Sequence, residues 1–333
     1  MNTRVTMRDV AREVGMSSMT VSRALRDDET VNAETRAKVR KAATDLGYVY
    51  DTTAQAFRTQ KSGFVAVTLP SINNANFAET FRSLSNGISE TGLQLLLGAT
   101  NYRVEKEEEL VRQLLARNPE ALVLTGGHHT EATRALLKGR GLRVIEMWDL
   151  PEEPLGCVVG FSNAEAMRLI VEHLAETGRQ KLAFVGAGEG TDRRGGERRA
   201  GVIEAAKSLR LPPVRLIDAG PAPIAMRHGV AAVETHSDII REVDALVCVS
   251  DPVAFGCLSA CQRIGLSVPD DVAITGFGCF EVSQVANPAI TTVRVHADRI
   301  GREVVKVLEG IFAGSEEVTR VDVGSELVPG GTS

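Results

Sequence analysis

Over residues 6 to 26, apolar positions recur at helical spacing in two short runs: Val10, Ala11 and Val14, then Val21, Ala24 and Leu25. This pattern predicts two amphipathic helices joined by a tight turn. Thr6, with Asp9 three residues on, can cap the first helix, Ser17 can cap the second, and Gly15 supplies the turn. Ser18, Met19, Ser22 and Arg23 are left facing outward near the start of the second helix. A helix-turn-helix presents that region to base edges in the major groove. Asn32 can cap a third helix over 33–46, which ends at Leu46-Gly47 with glycine in the C′ position.

From Gly63 the pattern changes. Short apolar runs (FVAVTL, LQLLLGA, ALVLTG, RVIEMW, KLAFVGA, ALVCVS, VAITGF) alternate with helical periodicity at 77–91, 106–117, 164–177, 198–209 and 252–264. Strands alternating with helices predict parallel sheets covered on both faces. The expected architecture is an all-α helix-turn-helix head joined to an α/β body of two doubly wound parallel-sheet lobes. The lobes are expected at roughly 62–161 and 164–290.

Charge sharpens the division. Residues 1–61 carry 11 Lys/Arg and 8 Asp/Glu, or +3, so the other 272 residues carry −8 of the chain's −5. A basic head on an acidic body is expected when only the head meets phosphates. No apolar stretch approaches the roughly 20 residues of a membrane span, and MNTRVTMRDV leads into the first helix without an apolar signal region. The five cysteines form no CxxC, and Cys257 and Cys261 have no histidine cluster beside them. Free, buried thiols in a reducing cytoplasm are expected, with no metal and no cofactor.

TMRDVAREVGMSSMTVSRALR followed by VNAETRAKVRKAATDLGY resembles the head of the lactose/galactose repressor (LacI/GalR) family of bacterial transcription regulators. GFVAVTLPS, ALVLTGG, ERRAG, VSDPVAFG, VPDDVAITGFG and NPAITTVRV follow in family order, so the resemblance spans nearly the whole chain. LPSINNANFAE, VIEMWD, CVVGFSNAEA and CQRIGLSVPDDVAITGFG are similar, more narrowly, to the gluconate-operon regulators of that family.

The resemblance implies a head at 1–50, a hinge helix and linker at 51–62, and an effector-binding and dimerisation core at 63–333. The core would resemble a periplasmic sugar-binding protein. Lobe 1 would take about 63–161 plus 291–321, and lobe 2 about 162–290 plus 322–333. The DNA-binding set is then Thr6, Ser17, Ser18, Met19, Thr20, Ser22, Arg23, Asn32 and Tyr48, with Ala54 and Phe57 in the hinge. Phe57 stands where the family wedges a leucine into the minor groove, and an apolar wedge can kink the duplex. Tyr48-Val49-Tyr50-Asp51 replaces the family's Tyr-x-Pro-Asn.

Ligands of open α/β sheets bind beyond the carboxyl ends of the strands. There the chain places Asn73 and Asn76, able to bond hydroxyls; Phe77, able to stack; His128; and Glu146, Trp148 and Asp149, with the one tryptophan as a sugar platform. Arg198 matches the family's effector-contacting arginine, and Ser250-Asp251 its Asn-Asp pair. Many sugar-binding relatives have an aspartate where this chain has Gly278 or Cys279. With no carboxylate there to repel an anion, and with Arg198 available for bidentate carboxylate recognition, a sugar acid such as gluconate is the expected effector. Arg193, Arg194, Arg198 and Arg199 read as a solvated loop with one inward arginine, because Glu189, Asp192 and Glu197 interleave them.

Gly186-Ala187-Gly188-Glu189-Gly190 lacks GxGxxG spacing and no GK[ST] follows, so it carries no nucleotide motif. No histidine pairs with a motif-borne serine or cysteine nucleophile, so no catalytic set is expected and the chain is not read as an enzyme. The expected function is a cytoplasmic, operator-binding repressor of sugar-acid utilisation genes, nucleoid-associated when bound and released by its effector. Alternatives are a corepressor-type regulator, or one responding to another sugar derivative. Partners would be operator DNA, the small-molecule effector and a second copy. The ending VDVGSELVPGGTS has no leucine heptads, so a homodimer rather than a tetramer is expected. No membrane partner is expected.

Overall fold

The computed structural model describes residues 5–50, 62–188 and 192–333. The chain divides into two compact units, Met1–Ser62 and Gly63–Ser333.

The first unit is three helices: α1 Met7–Val14, α2 Ser18–Leu25 and α3 Ala33–Asp45. The Asp9 carboxylate accepts both the backbone N–H (2.9 Å) and the hydroxyl (2.6 Å) of Thr6, fixing the start of α1. Gly15 ends α1 with φ +69°, a left-handed turn that side chains with a Cβ resist. Ser17 Oγ accepts the Thr20 N–H at 3.1 Å, and Asn32 Oδ1 accepts that of Thr35 at 2.8 Å, so both predicted caps form. Val10, Val14, Val21, Ala24, Val31, Val39 and Ala43 close a small core, with Tyr48 packed against it.

The second unit holds two parallel sheets. The first is built from β1 Phe64–Leu69, β2 Gln94–Ala99, β3 Ala121–Thr125, β4 Arg143–Met147, β5 Cys157–Gly160 and, from far along the chain, β11 Arg320–Asp322. Its order is β11-β5-β4-β3-β1-β2. The other strands are β6 Leu182–Gly186, β7 Arg215–Asp218, β8 Ala245–Cys248, β9 Ala273–Thr275, β10 Thr292–Arg294 and β12 Glu326–Val328. The second sheet has the order β7-β6-β8-β9, and β10 and β12 form a separate antiparallel pair. Both sheets read as near-continuous apolar runs because helices cover both faces.

Helices needed below are α4 Ala75–Ser89, α5 Val104–Leu115, α6 Glu131–Leu137, α7 Asn163–Glu176 and α8 Arg193–Ser208. The remainder are α9 Met226–Thr235, α10 Ser237–Ile240, α11 Asp251–Arg263, α12 Glu281–Val285 and α13 Ala297–Phe312. All seven strand-like runs contain a strand, and the five helical patterns fall on α4, α5, α7, α8 and α11. The strands the pattern did not show, β5, β7, β10, β11 and β12, are three or four residues long.

The chain passes between the lobes three times: after β5, between β10 and α13, and between β11 and β12. Helix α13 returns to the first lobe, where Thr80 Oγ1 of α4 donates to the Ala297 carbonyl at 2.7 Å. The last residues lock into the second lobe. Thr332 is fully buried, its hydroxyl donates to the Ile274 carbonyl (2.5 Å), and its Oγ1 accepts the Thr291 N–H (3.0 Å). All described cysteines are free; Cys157, Cys248, Cys257 and Cys261 are buried and Cys279 is half-buried. Among the described residues no helix is long and apolar enough to cross a membrane.

Candidate DNA-reading helix and effector cleft

On the head, Ser18 and Met19 open α2 with exposed side chains, Met19 at 64%. Arg23 is exposed one turn further on. Ser22 is half-buried, and its carbonyl accepts Arg26 Nε at 3.1 Å. Thr6, Ser17 and Asn32 act as helix caps, and Thr20 holds its hydroxyl 2.9 Å from that of Ser17. Tyr48 is half-buried on the head core. Ala54 and Phe57 lie outside the described residues, as does the rest of the expected hinge.

In the body, the carboxyl ends of the strands of both lobes face one cleft. An aromatic row crosses it. Phe77 meets Trp148 edge-on (4.9 Å, 77°), Trp148 meets Phe161 (5.9 Å, 73°), and Phe161 lies 6.1 Å from Phe277. Two guanidinium groups cap this row: Arg194 sits 5.0 Å from the Phe77 ring centre and Arg198 3.9 Å from that of Phe277. Such contacts orient a cation over a π face while leaving N–H edges to bond an anion.

Arg198 is fixed from two sides. Its Nε donates to Asn163 Oδ1 and an η-nitrogen to the Val249 carbonyl, both at 2.9 Å. Burial, aided by the nearby charge of Arg194 and opposed by Asp192, lowers its pKa to about 10, so it stays charged near neutral pH. The arginine run is therefore not a solvated loop with one inward member. It opens α8, and Arg194 and Arg198, one turn apart, both enter the cleft; Arg194 is only 8% exposed. The helical period extended back to 193 would have shown this, but the interleaved acids masked it.

Asn76 reaches across the cleft, its Nδ2 donating to the Gly278 carbonyl at 2.8 Å. Gly278 has φ +117°, and a Cβ there would lie 2.3 Å from the Phe280 ring and 2.9 Å from Asn76 Nδ2. Its lack of a carboxylate therefore has a steric reason besides any preference for anions. Asn73 is exposed, in a turn where its N–H donates to Ser71 Oγ; it is Asn74 whose Oδ1 caps α4.

His128 and Glu197 link the lobes at 2.7 Å, and Asn163 Nδ2 donates to the other Glu197 oxygen at 3.2 Å. Asp149 accepts the N–H groups of Gly127 (3.2 Å) and Leu150 (2.8 Å). Burial and then the charge of Glu197 raise its pKa. The donor atoms of His128, Asp149 and Glu197 lie within 4.8 Å of one another. Among the described residues this trio could hold an ion, although all three already make the hydrogen bonds above. Arg194, Tyr102, Arg103, His128, Arg193 and Asp192 line a hollow at the cleft mouth. Arg194, Tyr102, Asn163 and Glu197 were not among the sequence candidates.

Two candidates, Glu146 and Asp251, are committed to other partners, and a third, Trp148, is closed as a stacking surface. Glu146 is fully buried, and its carboxylate serves His129 Nε2 (3.2 Å) and the Leu155 N–H (2.6 Å). Glu107 holds His129 Nδ1 at 2.5 Å. Burial disfavours charge on His129, but the two carboxylates outweigh it and raise its pKa to about 9. Asp251 is fully buried, accepting the Thr292 hydroxyl (2.5 Å) and the Phe280 N–H (2.6 Å); burial lifts its pKa to about 6 despite those donors. It pins the 276–280 loop to β10. Trp148, at 3% exposure, offers no open face, so it is not a platform. Ser250 is half-buried at the start of α11.

Residues 6–51 match the model of the lacI family of bacterial regulatory proteins, and residues 171–333 that of the periplasmic binding protein-like domain. The chain is 34% identical to the HTH-type transcriptional regulator GntR of Pseudomonas aeruginosa, over 98% of this chain and 94% of that protein. The chain belongs to the lacI family. Among solved structures, a LacI-family transcriptional regulator from Silicibacter pomeroyi is 28% identical with a TM-score of 0.91, covering 98% of this chain and 99% of that one. A second regulator from the same organism is 40% identical with a TM-score of 0.77, over 81% of this chain and 98% of that one. This LacI-family protein is a DNA-binding transcriptional regulator, not an enzyme. It binds operator DNA and a small-molecule effector, as regulators of this family do, with the family head at 6–51 and the periplasmic-binding-like match at 171–333.

Proposed function

We propose that this regulator represses sugar-acid utilisation genes and leaves its operator when gluconate or a close aldonate binds between the lobes. The observation that carries the reading is the pair Arg194 and Arg198, two guanidinium groups held over aromatic faces inside the cleft. Paired guanidiniums suit a carboxylate, while Asn76 and Tyr102 suit hydroxyls. The protein acts in the cytoplasm as a homodimer, with 1–50 as the reading head and 51–62 as the linker. Effector must bind the non-operator conformation more tightly than the operator-bound one, or no release follows.

Titration of the dimer on its promoter DNA at fixed salt, with and without gluconate, tests this. Release by gluconate supports the reading. Tighter DNA binding makes gluconate a corepressor, and no response removes gluconate as effector.

A further inference from the structure

Trp148 occupies an uncommon backbone conformation, φ +74°, at the carboxyl end of β4. Few side chains adopt that region unless their surroundings force them to, and such outliers gather at ligand clamps. The ring is wedged between Phe77 and Phe161, and its Nε1–H is buried without an acceptor. Two other buried polar atoms among the described residues also lack partners, the hydroxyls of Ser62 and Thr68. A hydroxyl can rotate to seek a partner; an indole N–H is a donor only, and its direction is fixed by the ring. Leaving it unsatisfied costs stability, and a native protein tolerates this where a ligand or water later supplies the acceptor. Phe77, on which the indole rests, carries Arg194 of the opposite lobe on its own ring. The indole ring is thus separated from the Arg194 guanidinium by one aromatic ring, at the wall where the lobes meet.

We propose that Trp148 donates its indole N–H to an oxygen of the bound effector, acting as a specificity-determining hydrogen-bond donor rather than a stacking surface. This rests on the sugar-acid reading above. An aldonate brings oxygen acceptors along its whole length, so one fixed neutral donor in the aromatic row that two cations cap matches a carboxylate followed by hydroxyls. A ligand lacking an oxygen at that position leaves the donor unsatisfied and binds more weakly.

Trp148 is the only tryptophan in the chain, which makes a clean test available. Full-length protein produced with β-(3-benzothienyl)alanine in place of tryptophan exchanges that N–H for sulfur and keeps the ring's shape. Gluconate binding is measured by calorimetry on both proteins. The single indole resonance is followed in 15N-labelled, unsubstituted protein. The expected result is about tenfold weaker gluconate binding after substitution, with the melting temperature without effector not lowered. The indole proton should move downfield and exchange more slowly when gluconate binds. Equal affinity in the two proteins overturns the inference and leaves the sugar-acid reading standing. Weaker affinity accompanied by a lower effector-free melting temperature also overturns it, because the nitrogen would then serve packing. Failure of the unsubstituted protein to bind gluconate overturns the sugar-acid reading and this inference with it.

Discussion

Asn76 and Gly278 lie 202 positions apart in sequence, yet the Asn76 amide donates to the Gly278 carbonyl at 2.8 Å and joins one lobe to the other. A neutral hydrogen bond contributes about 0.5–1.5 kcal/mol net. Asn76→Ala is expected to favour the parted lobes by that amount. The effector concentration for half-release from DNA should rise about two- to tenfold, read by fluorescence anisotropy of labelled operator. An unchanged midpoint would show that this contact does not bias closure.

The two cleft arginines should separate binding from stability. Arg198 satisfies Asn163 and the Val249 carbonyl, so Arg198→Ala should lower both effector affinity and melting temperature. Arg194→Met keeps an apolar stem against Phe77 and removes only the charge. It should weaken sugar-acid binding about 10- to 100-fold with little change in melting temperature. Calorimetry and thermal unfolding of both variants check this, and parallel losses in the two would contradict the assignment of Arg194 to the ligand.

Helix α2 was legible because its information is local: caps, a turn glycine and a helical period all lie within 21 residues. The strands were legible where they are long and buried on both faces. What could not be read depended on distant partners. Glu146 looks like a loop acid after a strand, and nothing nearby announces that Glu107 and His129 claim its carboxylate. Asp251 holds a family ligand position but is committed to Thr292, 41 residues on. Trp148 was read as an open sugar platform, but its burial depends on Phe77 and Phe161, which periodicity does not place beside it.

The Glu107–His129–Glu146 trio gives lobe 1 a defined pH response. The folded-state pKa of His129, about 9, lies above the ordinary value near 6.5. The native state therefore holds more protons in that interval, and stability falls as pH rises through it. The contribution is complete below about pH 6.5 and gone above about pH 9, up to about 3 kcal/mol in all. Urea unfolding at intervals from pH 6 to 9.5 should show the fall. In His129→Gln it should vanish, on a protein already weakened by two buried, uncompensated carboxylates.

Met19 projects from the start of α2 with most of its surface exposed and stabilises little. Met19→Ala should change the head's unfolding free energy by no more than about 0.5 kcal/mol while altering operator preference, scored by selection from a randomised site library. Ser17→Ala, by contrast, removes the cap on Thr20 and should cost about 1 kcal/mol.

The three passages between lobes also govern how the molecule comes into being on the ribosome. The head owns its core and can close as soon as its three helices emerge. Lobe 1 must wait for α13 and β11, and lobe 2 for Thr332, which bonds Ile274 and Thr291. Almost the whole chain is made before either ligand-sensing half can be finished. A nascent or truncated chain therefore carries the head's three helices ahead of any finished sensing half, and damage near the carboxyl end reaches both lobes at once.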